Sequence, residues 1–197
     1  MTYLRPRRVA KAAEVLKSPY LERAIDPNDT SNPNEKVIWK WVMQDAPYKR
    51  DEFVFKYKQV SVKRGDMFSL REKNHLSMNV LDAWTLCLNT KEKVRSSTTP
   101  CRLFVKSMPC LYMMENQIPE DQAYEVFKEG ILLALETVKP DIKMEDVDLF
   151  YFPIVQPQHC YVVCLNMKTR TVEVLDNVVD KIRFDEKYER HVCGLLM

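Results

Sequence analysis

The chain has 197 residues, of which 46% are hydrophobic and 10% aromatic, which is enough apolar material for the core of one domain. With 30 Lys and Arg against 28 Asp and Glu, the formal net charge is only +2 and gives no reason to expect a nucleic-acid partner. No apolar run approaches the roughly 18 residues of a membrane span, and the basic first residues have no apolar stretch behind them to form a signal peptide. We therefore expect an intracellular protein, in the nucleus or cytoplasm, that does not bind membranes.

Cysteine and glycine usage predicts neither a metal site nor a cofactor. The 6 cysteines lie in apolar stretches rather than at the spacings of a disulfide scaffold, which favours reduced thiols. Cys160 and Cys164 would lie about 13 Å apart on a strand, too far to share a zinc ion. A chain with only 3 glycines also offers no Gly-rich loop for a phosphate group.

Residues 1–50 are predicted to be a helical lead-in to a domain that spans residues 51–197. Apolar residues at helical spacing predict a helix over Arg8–Lys17. Residues 26–34 are rich in Pro, Asn and Asp and predict a loop. Pro33, Asn34 and Glu35 then predict the start of a second helix.

The middle of the chain alternates between strand and helix patterns. Asp51–Leu70 predicts one or two short strands, and Arg102–Val105 predicts another. Met78–Val94 predicts a helix that packs through Leu81, Trp84, Thr85 and Leu88. Gln117–Val138 predicts a longer helix whose packing stripe consists of Tyr124, Phe127, Ile131, Leu135 and Val138.

The last part of the chain predicts consecutive strands. A strand over Val147–Val155 leads into a hairpin, because Cys160–Leu165 and Thr171–Leu175 are rich in β-branched and aromatic residues and flank the polar segment Asn166–Arg170. The first hairpin strand is apolar on both faces, which is typical of a central strand. Helices followed by consecutive strands predict an α+β fold, and residues 181–197 predict a further helix.

His159 and Asp176 are the candidate catalytic residues. A turn centred on Met167 and Lys168 predicts that they lie directly opposite each other, with Cβ atoms about 4.5 to 5.5 Å apart. An aspartate that holds an imidazole forms the base and orienter of a nucleophilic triad. On spacing alone, a His and an Asp at such positions are more often ordinary polar residues at the rim of a sheet than catalytic residues. A register change of one residue would also separate them.

The segment from Phe150 to Asn177 resembles the His and Asp motifs of the ubiquitin-like-protein-specific cysteine proteases, the SUMO-protease and adenain-like superfamily. It is most similar to their plant branch, which is often found in transposon-like genes. In this family a proline-containing strand, here Phe152-Pro153-Ile154, leads to the His that opens the next strand, and an Asp closes the strand after it. The resemblance implies a cysteine-proteinase-like fold, a mainly antiparallel sheet flanked by helices, with His159 as general base and Asp176 as the orienting carboxylate.

The family also implies a substrate and a partner. Such enzymes cleave SUMO-type modifiers after their C-terminal glycines, and Leu76–Trp84 resembles the start of the family's first large helix, where the modifier's tail is held. We expect a monomer that binds a ubiquitin-like modifier and its conjugates, without a cofactor.

The nucleophile of this family lies in a Gln-x(5)-Asp-Cys-Gly motif downstream of the Asp. The late candidate here is Cys193, with Val192 in place of the motif's Asp and Lys187 in place of its Gln. Because Cys193 follows Asp176 by only 17 residues, little chain is left for a return to His159. We therefore expect the protease domain to be incomplete at its C-terminus and its nucleophile to lie beyond Met197.

Two alternatives remain open. In the first, the chain is non-catalytic: either a remnant that retains a surface for a ubiquitin-like protein, or a transposon-derived pseudo-protease without a function. Otherwise it is a generic α+β interaction domain, which predicts that His159 and Asp176 point away from each other.

Overall fold

The computed structural model describes residues 32–44, 49–71, 74–114, 119–139, 141–156, 159–176 and 188. The predicted helix over Arg8–Lys17 lies outside this part, and so does the one over residues 181–197 except for Tyr188. Asn177, Lys187 and Cys193 also lie outside it. The chain divides into two compact units, Met1–Trp41 and Val42–Met197. In the described part, no helix is long and apolar enough to cross a membrane.

The described chain contains five helices and six strands. In order they are α1 (Pro33–Met43), β1 (Phe53–Tyr57), β2 (Val60–Lys63), α2 (Arg64–Met67), α3 (Met78–Glu92), β3 (Arg102–Phe104), α4 (Ser107–Met114), α5 (Glu120–Val138), β4 (Leu149–Gln156), β5 (His159–Asn166) and β6 (Thr171–Leu175), with 3-10 turns at Phe68–Leu70 and Met144–Asp146. β1 and β2 pair as an antiparallel hairpin. A four-stranded sheet has the order β3-β4-β5-β6, in which β3 and β4 are parallel and the other neighbours antiparallel. The predicted α+β fold is confirmed, and β5 is central as its apolar faces predict.

The turn between β5 and β6 differs from the predicted one. It spans Met167–Arg170, and the last pair before it is Asn166 with Thr171, so the register is shifted by two residues. A two-residue turn would need positive φ at both Met167 and Lys168 in a type I′ turn, or at Met167 in a type II′ turn, and side chains of this kind disfavour it. The longer turn requires it only at Arg170, with φ of 54°. The side-chain oxygen of Asn166 accepts hydrogen bonds from the amides of Lys168 and Thr169, at 3.1 and 3.2 Å, and stabilises this turn.

The core lies between one face of the four-stranded sheet and helices α4 and α5. Phe127 of α5 stacks on Phe152 of β4 with ring centroids 5.5 Å apart. Four of the five residues predicted for the α5 stripe are buried, whereas Tyr124 is exposed. The buried cluster includes Leu103, Val105, Cys110, Phe127, Ile131, Ala134, Leu135, Val138, Phe150, Phe152, Ile154, Tyr161 and Val163.

Helices α4 and α5 approach each other closely at Gly130. A Cβ atom added to Gly130 would lie 2.7 Å from Cβ of Pro109 and would overlap its Cγ. Because the proline ring is rigid, the absence of a side chain at Gly130 allows this packing distance.

The predicted face of α3 is confirmed only in part: Thr85 is buried and Leu81 and Leu88 are half-buried, but Trp84 is not. Trp84 is 56% exposed, and the buried residues are Thr85, Leu86, Asn89 and Glu92. Polar contacts explain why Asn89 and Glu92 are buried. Asn89 donates to the carbonyl of Phe104 at 2.8 Å and accepts from its amide at 2.9 Å, while Glu92 binds the Arg102 guanidinium at 2.6 Å. These bonds pair polar groups at the edge of β3 that does not face β4. Hydrophobic periodicity does not predict such bonds, because it considers apolar side chains only.

Candidate active site

His159 and Asp176 meet at one end of the sheet. His159 is the first residue of β5, and Asp176 directly follows β6. Nε2 of His159 lies 2.8 Å from Oδ2 of Asp176. The two side chains are 21% and 7% exposed, respectively. This contact contradicts the alternative in which the two side chains point away from each other.

The two residues meet diagonally rather than directly across the strand pair. Val162 pairs with Leu175, and the same register continued by one residue on each strand places Asp176 beside Tyr161. His159 and Tyr161 share a face of β5 because side chains alternate along a strand. The diagonal neighbour on one face is about 7 to 8 Å away, within reach of an imidazole and a carboxylate that extend towards each other. A register shift of two residues therefore preserves the contact.

Two tyrosines complete the surroundings of the pair. The Tyr161 ring stacks on the imidazole of His159, with centroids 5.7 Å apart and an interplanar angle of 28°. The Tyr188 ring meets Tyr161 edge-on at 5.0 Å and 66°. The Tyr188 hydroxyl donates a hydrogen bond to Oδ2 of Asp176, the same oxygen that contacts His159. Sequence reasoning missed Tyr188, because neither its spacing nor its neighbours signal a role.

The contact decides which imidazole nitrogen is available for chemistry. An ionised carboxylate only accepts hydrogen bonds, so Nε2 of His159 carries the hydrogen that faces Asp176. In the neutral ring, Nδ1 is then the acceptor. No residue in the described part of the chain forms a hydrogen bond with Nδ1, and the ring is partly open to solvent. The arrangement can take a proton at Nδ1 while Asp176 steadies the resulting imidazolium.

The described cysteines are free thiols, and none is hydrogen-bonded to His159. Cys160 is next to His159 in sequence, but it points to the opposite face of β5. Burial, and secondly the charge of Asp176, raises the pKa of the Cys160 thiol. Burial likewise raises the pKa values of the Cys101, Cys110 and Cys164 thiols. A raised pKa disfavours the thiolate, which is the nucleophilic form.

Other kinds of site do not coincide with this pair. Among the described residues, no group of three or more His, Cys, Asp and Glu side chains could hold a metal ion. A cavity of about 340 Å³ is bounded by the β1–β2 turn, α3 and α5, and neither His159 nor Asp176 lines it.

Solved structures with a similar architecture identify the fold. The C-terminal protease domain of Ulp1, in complex with Smt3, the yeast orthologue of SUMO, matches with a TM-score of 0.61 and 11% identity over 83% of this chain and 64% of that chain. The fold is that of the SUMO protease Ulp1. Ulp1 with its catalytic cysteine oxidised to a sulfinic acid matches with a TM-score of 0.57 and 11% identity over 87% of this chain and 68% of that one. The sulfenic acid form matches at 0.58 and 11%, over 86% and 66%.

The similarity to these proteins is one of structure and not of sequence. No protein-family model and no curated protein sequence matches the chain. The chain spans 64% of the length of the Ulp1 domain that was solved with Smt3.

Proposed function

We propose that this chain is a cysteine-type peptidase domain that cleaves SUMO-type modifiers after their C-terminal glycines. The observation that carries the proposal is the 2.8 Å contact between Nε2 of His159 and Oδ2 of Asp176. It supplies a base and its orienting carboxylate, and it lies on a fold shared with a known SUMO protease. The proposed protein is an intracellular monomer whose partners are a SUMO-type modifier and its conjugates.

The proposed reaction uses His159 twice. Nδ1 takes the proton of a cysteine thiol, and the thiolate attacks the carbonyl carbon of the modifier's last glycine. The imidazolium, stabilised by Asp176, then returns the proton to the departing amine as the amide bond breaks and a thioester forms. Water attacks the thioester after losing a proton to Nδ1, which releases the modifier's carboxylate and regenerates the thiol.

The sulfur has to come from outside the described residues, since none of the described cysteines is hydrogen-bonded to His159. Two sources fit the proposal. One is Cys193, which is followed by Gly194, and the other is a cysteine that follows Met197. We propose the second source, because Val192 and Lys187 replace the acidic and amide residues of the family motif.

A covalent probe tests the proposal directly. A SUMO-type modifier ending in a vinyl sulfone is incubated with the 197-residue chain and with the longest protein that its transcript encodes, and mass spectrometry locates the attachment. We expect attachment to a cysteine that is lost in His159→Ala. The matched control is Glu173→Gln, which removes an exposed carboxylate from β6 on the opposite face of the sheet and leaves attachment unchanged. Absence of labelling in both proteins would refute the peptidase proposal.

A non-catalytic module is the second candidate. It is favoured by the fact that none of the described thiols is bound to the base. This candidate predicts that a SUMO-type modifier binds wild type and His159→Ala with equal affinity in calorimetry, without any probe attachment. Absence of binding would rule it out.

A further inference from the structure

Four side chains at the end of the sheet form a closed ring of contacts. His159 binds Asp176, Asp176 accepts from the hydroxyl of Tyr188, Tyr188 meets Tyr161 edge-on, and Tyr161 stacks on His159. Tyr161 and Tyr188 are only 3% and 8% exposed. The ring of contacts is thus closed by a residue twelve positions after Asp176, outside the hairpin itself.

The position of Asp176 in the strand makes a hydrogen bond to its carboxylate important for its orientation. It lies just beyond the last ladder pair of β6, so the orientation of its carboxylate depends on contacts other than that ladder. A carboxylate at such a position can rotate and present either oxygen, or neither, to the imidazole. A hydroxyl that donates to Oδ2 restricts this rotation, and hydrogen bonds to an ionised acceptor are the strong ones.

We propose that Tyr188 is a positioning residue for His159. Its hydroxyl holds Oδ2 of Asp176 in line with Nε2, which keeps the ring hydrogen on Nε2 and leaves Nδ1 as the proton acceptor. The inference rests on the proposed function only where it has Nδ1 take the proton of a cysteine thiol. The orientation itself exists whether or not the chain cleaves anything.

Tyr188 also packs against Tyr161, so its two contributions must be separated. Tyr188→Ala would remove the ring as well and destabilise the fold. Tyr188→Phe keeps the buried ring and removes only the hydroxyl. Tyr124→Phe is the matched control, because it removes the hydroxyl of an exposed tyrosine on α5.

The test measures the tautomer of His159 directly. The chain contains 3 histidines, so nitrogen-15 labelling gives few ring signals, and the spectrum of His159→Gln assigns the one of interest. We expect the neutral His159 ring of wild type and of Tyr124→Phe to carry its hydrogen on Nε2. In Tyr188→Phe, the ratio of the Nε2–H to the Nδ1–H form should fall about tenfold, as the loss of a hydrogen bond to a charged group implies. The melting temperature of each variant is measured alongside.

Two results would overturn the inference. One is an unchanged tautomer ratio in a folded Tyr188→Phe protein, which would leave Tyr188 with a packing role alone. The other is a wild-type ring that carries its hydrogen on Nδ1. Failure of the peptidase proposal would be a separate result, because it would appear as an absence of probe labelling. The tautomer measurement would still show whether Tyr188 orients His159.

Discussion

Asp176 contacts Nε2 of His159 from the position beside Tyr161, diagonally across the β5–β6 pair. An asparagine there can still accept from Nε2–H through its amide oxygen, but it cannot offset the charge of the imidazolium. We therefore expect Asp176→Asn to slow labelling by the SUMO-type vinyl sulfone between about 10- and 10,000-fold, the larger figure being that of the corresponding change in a serine protease triad.

The measurement is the second-order rate constant of attachment in whichever protein is labelled. Glu173→Gln again serves as the control, because it removes a charge from the same strand on the other face. A rate for Asp176→Asn within twofold of this control would show that Asp176 does not act through charge.

Asn89 should be a major determinant of the stability of the sheet edge. Its side chain is 2% exposed and pairs with both the amide and the carbonyl of Phe104. Asn89→Ala leaves these two backbone groups without their partner, and we expect a loss of about 1 to 3 kcal/mol in the free energy of unfolding.

Urea denaturation checks this value, and amide hydrogen exchange should show faster exchange at Phe104. The neighbouring Thr90→Ala is the control, since the Thr90 hydroxyl bonds only to Leu86 in its own helix. Equal effects of the two substitutions would contradict the role given to Asn89.

Gly130→Ala should destabilise the protein even though alanine is the better helix former. The added methyl group would overlap the rigid ring of Pro109 and force α4 and α5 apart. We expect a loss of about 1 to 3 kcal/mol, as for other overpacked cores. The control Glu129→Ala changes an exposed residue of the same helix and should alter the free energy by less than about 0.5 kcal/mol. A stabilised Gly130→Ala protein would show that the two helices separate easily.

Asp148 should make stability depend on pH in the acid range. The amide of Cys101 donates to its Oδ2 at 2.7 Å, and this bond, with a smaller effect of Lys168, lowers the pKa of the Asp148 carboxyl. A lowered pKa means that the stabilisation is present above the unfolded value of 3.8 and is lost as the pH falls through the folded one.

Denaturation of wild type and Asp148→Asn between about pH 2 and pH 6 checks this expectation. The difference in free energy of unfolding between the two proteins should be constant above about pH 5 and should shrink below pH 3.8. Asp141→Asn, which changes an exposed carboxyl group, is the control. A difference that does not vary with pH would mean that Asp148 stabilises the protein equally in both protonation states.

Hydrophobic and β-branched patterns predicted the strands and long helices of the described part, because burial of apolar side chains determines these elements. For α3 the same patterns predicted the helix and the burial of Thr85, but they did not predict that Trp84 is exposed or that Asn89 and Glu92 are buried by their bonds to β3. A polar residue that binds a strand edge from another helix carries no periodic signal in its own sequence.

The candidate active site, too, could be predicted only in part. The two strands predicted that His159 and Asp176 lie close together, and they do. The predicted direct pairing was wrong, since turn length depends on local bonds such as those of Asn166. Tyr188 could not be predicted, because it lies twelve residues after Asp176, outside the hairpin, and no pattern in the sequence indicates their contact.

The turn at Met167–Arg170 lies at the opposite end of β5 and β6 from His159 and Asp176. Residues added to or removed from this turn are therefore expected to leave the pair intact. Val172 and Val174 of β6 pack against the core, and this packing determines which side chains of the strand lie on the imidazole's side of the sheet. We expect homologous chains that retain the pair to differ in the length of this turn by both even and odd numbers of residues.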